Sequence, residues 1–231
     1  MTDSTTDGPG PGAEVEDSLV DRADNLLRRS YRVNRLEAFS DGVFAIAITL
    51  LVLEIGVPPI GENDDLLGAV VAQLPSLLGY VVSFATIGGA WLAHAALTEY
   101  LDRTNAVFIR LNLLLLLVVA FIPYPTRLLA EHTGSTEAER FAATFYGVSL
   151  MAASALNGIL WRYARHADLI KADADDKDVE LLSSRLLPGV AFYLVWIVVG
   201  LVRPQAAVIG YLLVALFFLL PFPIRTRRRR S

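Results

Sequence analysis

Cysteine is absent from all 231 residues. Disulfides, thiol nucleophiles and cysteine-ligated metals are therefore excluded together. Histidine is nearly absent, with only His94, His132 and His166. No two of them stand at the i, i+4 spacing that a helical zinc or haem site uses. Lysine is limited to Lys171 and Lys177, so basic charge is almost all arginine. No glycine-rich loop precedes a helix in a phosphate-binding arrangement, and the acidic stretch Asp168 to Glu180 lacks the Asp-x-Asp-x-Asp-Gly spacing of a calcium loop. Glu131 and His132 stand together but read as solvated loop charge. An enzyme is not expected, nor is a metal or cofactor.

Charge is also missing from long stretches. Apolar residues make up 54% of the chain and the mean hydropathy is +0.49, above what the core of a soluble domain needs. The formal net charge of -4 conceals this segregation. The first 25 residues are polar, rich in Gly, Pro, Asp and Thr, and carry no signal-peptide pattern. They read as a disordered tail within a cytoplasmic N-terminal segment, 1–30. Inside it, Asp17 to Arg32 has the pattern of a short amphipathic helix, its arginines set against anionic lipid.

Six apolar stretches follow within 31–223, and the fold class expected is all-α with six membrane-spanning helices. They run from about Phe39 to Ile55, Leu74 to Ala96, Val107 to Leu129, Phe141 to Tyr163, Leu186 to Val202 and Ala206 to Phe222. Each reaches or approaches the roughly 20 residues that cross a bilayer core. The interval Leu66 to Leu97 is too long for one straight span, so the second span starts near Leu74, with Pro75 tolerated in its first turn. The stretch Asp168 to Glu180 reads as a short helical linker. Only Arg203-Pro204-Gln205 divides the last two spans.

Six spans put both termini on one side, and arginine chooses it. Of the 20 basic residues, only Arg127, Arg140 and Arg203 fall on the opposite side from the termini. That asymmetry makes both termini cytoplasmic. The tail 224–231, with Arg227 to Arg230, reads as a topology and lipid anchor, and no nucleic-acid partner is expected.

Polar residues inside spans carry the functional signal. Asp41 and Thr49 lie in the first span, His94 in the second, Asn112 in the third and Asn157 in the fourth. Asp41, His94 and Asn112 fall toward the cytoplasmic ends of their helices, where they can form one hydrogen-bonded layer. An ionised Asp at a span centre costs about 2.5 to 3.5 kcal/mol, so Asp41 needs partners. Arg35, His94 and Arg110 are the candidates. The plain alternatives are an interfacial helix cap for Asp41 and satisfied core positions for His94 and Asn112.

At about 100° per residue, Asp41, Ala45, Ile48 and Val52 share one face of the first span. Gly42, Ile46, Thr49, Leu50 and Leu53 share another, and Ile46 lies roughly 140° round from Asp41. If Asp41 points into its own subunit, Ile46 points out toward lipid, a neighbouring helix or a central axis. Glu54, near the outer end, either concentrates cations or faces headgroups.

The pattern Arg35-x-x-x-Phe39-Ser40-Asp41, followed by Gly42 to Glu54, resembles the signature of the transmembrane protein 175 family, the lysosomal potassium channels and their prokaryotic relatives. Trp91 with His94, Asn112, and Phe121-Ile122-Pro123-Tyr124-Pro125-Thr126 extend the match, which covers about residues 32 to 130. His94 is followed by Ala95, where a second histidine is common. The resemblance implies a leak-type, modestly selective potassium-permeable channel, open to K+ and other monovalent cations, with no carbonyl filter. It implies a homotetramer in a prokaryotic plasma membrane, in contact with membrane lipid, with the first helix around a central pore. On that pattern Ile46 is the aliphatic constriction, and Thr49, Leu50 and Leu53 line the pore with it. Arg35, Phe39, Ser40, Asp41, His94 and Asn112 then hold the helices around the pore. A proton-coupled carrier using Asp41 and His94 is the alternative, although no inverted repeat supports it.

Overall fold

The computed structural model describes residues 32–55, 65–132, 136–186 and 188–219. The N-terminal segment 1–30, with nearly all of its expected amphipathic helix, and the tail 224–231 lie outside the described residues. The described residues are helical apart from connections and one isolated antiparallel bridge between Leu101 and Ile170. In chain order the helices are α1 (Arg32–Glu54), α2 (Leu66–Ala72), α3 (Leu74–Glu99), α4 (Ala106–Phe121) and α5 (Pro123–Glu131). They continue with α6 (Thr136–His166), α7 (Asp176–Leu186), α8 (Gly189–Gly200) and α9 (Pro204–Leu219). The last turn of α1, Leu51–Glu54, tightens to a 3-10 helix.

Five segments are long and apolar enough to cross a membrane: Arg32–Glu54, Ser76–Glu99, Ala106–Glu131, Glu137–His166 and Asp176–Gly200. The sixth expected span appears as the shorter apolar helix Pro204–Leu219. Its 16 residues make about 24 Å of helix, less than the roughly 30 Å hydrocarbon core. The described residues are therefore all-helical and suited to a multi-pass membrane setting, with five long apolar segments and one shorter one among them.

Three departures from the sequence reading have physical causes. The third span is interrupted at Ile122 into α4 and α5, because Pro123 and Pro125 remove two backbone donors. Ile122 N–H bonds Val119 O at 3.2 Å, one residue short of the α-helical partner. The ladder resumes where Thr126 N–H reaches Ile122 O at 3.1 Å. The charge-free interval before Leu74 forms its own short helix, α2, capped by the Asp65 carboxylate, which accepts from Leu67 N–H at 3.0 Å. The linker after Asp168 becomes helical only from Asp176 and runs on as α7 to Leu186, just before Pro188. Between α8 and α9 the chain turns within Leu201 to Arg203, close to the expected division.

Helix α6 is the spine of the bundle, contacting α3, α4, α5, α8 and α9. Its Tyr146 and Trp161 are among the largest fully buried side chains, beside Tyr211 of α9 and Phe108 of α4. Polar groups within this core are paired. Thr126 donates its hydroxyl to Ile122 O at 2.9 Å, so its oxygen accepts from Ser83 at 2.8 Å. Ser83 in turn accepts from Tyr146 OH at 2.9 Å, which ties α3, α5 and α6 together. At one end of the bundle, Asp102 N–H donates to Leu169 O and Lys171 N–H to Tyr100 O, both at 2.9 Å. These bonds fasten the α3–α4 and α6–α7 connections to each other.

Two glycines mark where α6, α8 and α9 approach closely. A Cβ at Gly147 would meet the Tyr211 hydroxyl, and one at Gly210 would fall on the Trp196 indole. A Cβ at Gly79 meets nothing within 4 Å. Gly210→Ala is therefore expected to lower stability by about 1 to 3 kcal/mol through overpacking. Gly79→Ala is expected to raise it by about 0.5 to 1 kcal/mol through helix propensity. Thermal unfolding in detergent micelles checks both signs.

Candidate functional site

Helix α1 has two unlike faces. Val33, Leu36, Ser40, Phe44, Ala47 and Leu51 are buried and recur at spacings of three and four, one stripe of an α-helix. The opposite stripe carries Gly42, Ile46, Thr49, Leu50 and Leu53, all exposed. Ile46 is 60% exposed and Leu53 71%, among the most open large apolar residues of the chain.

The buried stripe is pinned by a polar chain whose direction can be read from one end. Ser40 donates its hydroxyl proton to Leu36 O at 2.8 Å. Its oxygen is left to accept, and it takes a bond from Asn112 Nδ2 at 2.9 Å. The Asn112 carbonyl oxygen then faces His94 Nε2 at 2.7 Å, so that nitrogen must carry the proton. His94 Nδ1 keeps its lone pair and has no hydrogen-bond partner. The imidazole also rests against Phe44, with ring centroids 5.6 Å apart. Helices α1, α3 and α4 are thus joined through three side chains, all buried.

The layer expected from sequence is therefore present for His94 and Asn112, with Ser40 as its third member. Asp41 lies outside that chain. It accepts instead from Trp91 Nε1 at 2.8 Å, a partner absent from the expected set of Arg35, His94 and Arg110. Trp91 stands three residues before His94, so one face of α3 presents the indole to Asp41 and the imidazole to Asn112, which bonds Ser40. That i, i+3 pairing is the signal in the sequence that identifies the donor. Arg110 and Phe39 are exposed. Arg35 is exposed too, on the rim of a cleft of about 510 Å³ that Phe39 and Asn112 also line. Asn157 donates to Ala90 O at 3.5 Å, an ordinary packing role between α6 and α3.

Thr49 is exposed and donates its hydroxyl to Ile46 O at 2.9 Å. With the proton committed to the helix, the oxygen presents its lone pairs outward. Glu54, at the end of the same helix, turns toward α5 and lies 3.8 Å from Arg127 Nε. Neither of its two sequence readings included that cation.

A bundle of apolar helices whose first helix is fixed on one side by polar bonds, and bare on the other, defines a multi-pass membrane protein. Comparison with known proteins narrows this class. Residues 35–123 match the family model described as "Endosomal/lysosomal potassium channel TMEM175". A potassium channel of Chamaesiphon minutus is 39% identical over 189 residues, covering 80% of this chain and 93% of that one. One of Streptomyces collinus is 37% identical over 185 residues, covering 80% and 90%. The crystal structure of a lysosomal potassium-selective channel TMEM175 homolog from Chamaesiphon minutus superposes with a TM-score of 0.74 at 35% identity, covering 82% of this chain and 97% of that one. The chain belongs to the TMEM175 family.

Asn112→Leu removes the centre of the polar chain and leaves a buried N–H and a buried hydroxyl oxygen without partners. It is expected to destabilise by about 1 to 3 kcal/mol. Trp91→Phe loses only the half-exposed bond to Asp41 and is expected to cost about 0.5 to 1.5 kcal/mol. Thermal unfolding of the purified variants ranks the two, and the opposite order would contradict the chain described here.

Proposed function

We propose that the chain is a potassium-permeable cation channel, assembled as a homotetramer with the exposed stripe of α1 around a central pore. The observation that carries this reading is the composition of that stripe. Exposed aliphatic residues also cover α4, α8 and α9, as a lipid boundary requires. The α1 stripe differs in holding a bare glycine, Gly42, and an outward hydroxyl oxygen, Thr49, between Ile46 and Leu53. Small residues permit helices to approach, and an outward oxygen has value where water or ions pass. The relatives named as potassium channels support the same reading.

Four Ile46 side chains about an axis form an apolar ring. Such a ring conducts only when wet, and it ranks ions by the cost of shedding water. Thr49, one turn on, offers oxygens to a partly dehydrated cation. Leu50 and Leu53 continue the apolar wall. Arg35, Phe39, Ser40, Asp41, His94 and Asn112 act as the brace behind it. In this arrangement both termini are cytoplasmic and the membrane is the plasma membrane of a prokaryote. A proton-coupled relay through Asp41 and His94 is disfavoured by their separate bonds, to Trp91 and to Asn112.

Purified protein in liposomes is expected to pass potassium down its gradient. Ile46→Asn is expected to raise flux by about tenfold, a barrier change of about 1.4 kcal/mol, and to lower the preference for potassium over sodium. Isotope or fluorescent flux assays measure both. Unchanged flux and selectivity in that variant would remove Ile46 from the pore.

A further inference from the structure

Glu54 ends α1 on its 3-10 turn, one residue past the outward Leu53. One of its oxygens, Oε2, is buried and has no hydrogen-bond partner. The cation near it is Arg127 of α5, with Nε at 3.8 Å, too long for a hydrogen bond. The same Nε donates to Glu131 Oε1 at 2.7 Å, one turn along α5. Glu131 therefore fixes the guanidinium where it offsets Glu54 by charge alone. Both α5 side chains are more than half exposed, whereas Glu54 is 22% exposed.

On the four-fold channel reading, on which this inference rests, Leu53 lines the pore and Glu54 stands at its mouth. Four carboxylates at a mouth concentrate cations and raise their rate of entry. Here each is held beside an arginine, so the ring is muted. We propose that Arg127 sets conductance at the Glu54 end of the pore by cancelling the Glu54 charge, with Glu131 as the residue that positions it. The three side chains carry one net negative charge per subunit, and removing the arginine charge doubles that. The effect is electrostatic, so it depends on ionic strength: the screening length is about 30 Å at 0.01 M and about 3 Å at 1 M.

Single-channel conductance of the full chain in neutral-lipid bilayers, in potassium chloride at about 0.01 M and about 1 M, tests this. Arg127→Gln is expected to raise conductance at least about twofold at the lower salt, and the gain is expected to vanish at the higher. Arg127→Lys, which keeps the charge, is expected to match wild type. Glu54→Gln added to Arg127→Gln is expected to remove the gain. Glu54→Gln alone, which leaves the arginine less compensated, is expected to reduce low-salt conductance and provides the same test if Arg127→Gln does not fold. An unchanged Arg127→Gln conductance at low salt overturns the proposal, as does a gain that survives Glu54→Gln or appears equally in Arg127→Lys. A wild type that carries no potassium current brings down the channel reading itself, whereas a conducting wild type with insensitive variants brings down only the role of Arg127.

Discussion

The hydrogen-bond chain from His94 through Asn112 and Ser40 to the Leu36 carbonyl fixes how α1 is rotated in the bundle. An apolar helix among apolar neighbours has little to set its azimuth, because lipid tails solvate any aliphatic face equally well. A buried polar group removes that freedom, since each donor left unpaired costs about 1 to 3 kcal/mol. With Ser40 held inward, Phe44, Ala47 and Leu51 follow it at helical spacing into the core. Ile46, Thr49 and Leu53 are turned outward as a result.

The bond from Trp91 to Asp41 complements this arrangement from the edge of the same face. The carboxylate has a specific donor rather than only bulk water, and the indole is steered by an acceptor. Asp41 and Ser40 are chain neighbours, and α3 reaches the first directly through Trp91 and the second through His94 and Asn112. Two bonds of different burial thus determine one rotation. Behind them, the Ser83, Thr126 and Tyr146 cluster fixes α3 against α5 and α6, so the surface receiving α1 is itself rigid.

Much of this was legible in the sequence, and the parts that were not share a cause. Apolar length identified the helical spans, and rotation per residue put Ile46 and Asp41 on different faces. Those are local properties of one element. The layer of His94 and Asn112 was legible as a depth, while Ser40 joined them only through the family motif, because a serine is cheap enough to bury anywhere. Trp91 as the donor to Asp41 is signalled only by its i, i+3 spacing from His94, a signal that becomes usable once the face of α3 toward α1 is known. The interruption at Ile122 was hidden because the apolar run continues through it, and hydropathy does not register a missing N–H. The pairing of Glu54 with Arg127 joins residues far apart in sequence, and no periodicity encodes it.

The tightened turn at the end of α1 has a geometric result for whatever surrounds that face. A 3-10 helix advances 120° per residue, so side chains three apart eclipse instead of stepping round. Glu54 accordingly stands close to the line of Leu51, the buried end of the inner stripe, where an α-helix would have displaced it by about 60°. The carboxylate is thereby swung round toward the bundle side of α1, where Arg127 lies, and away from the outward Leu53.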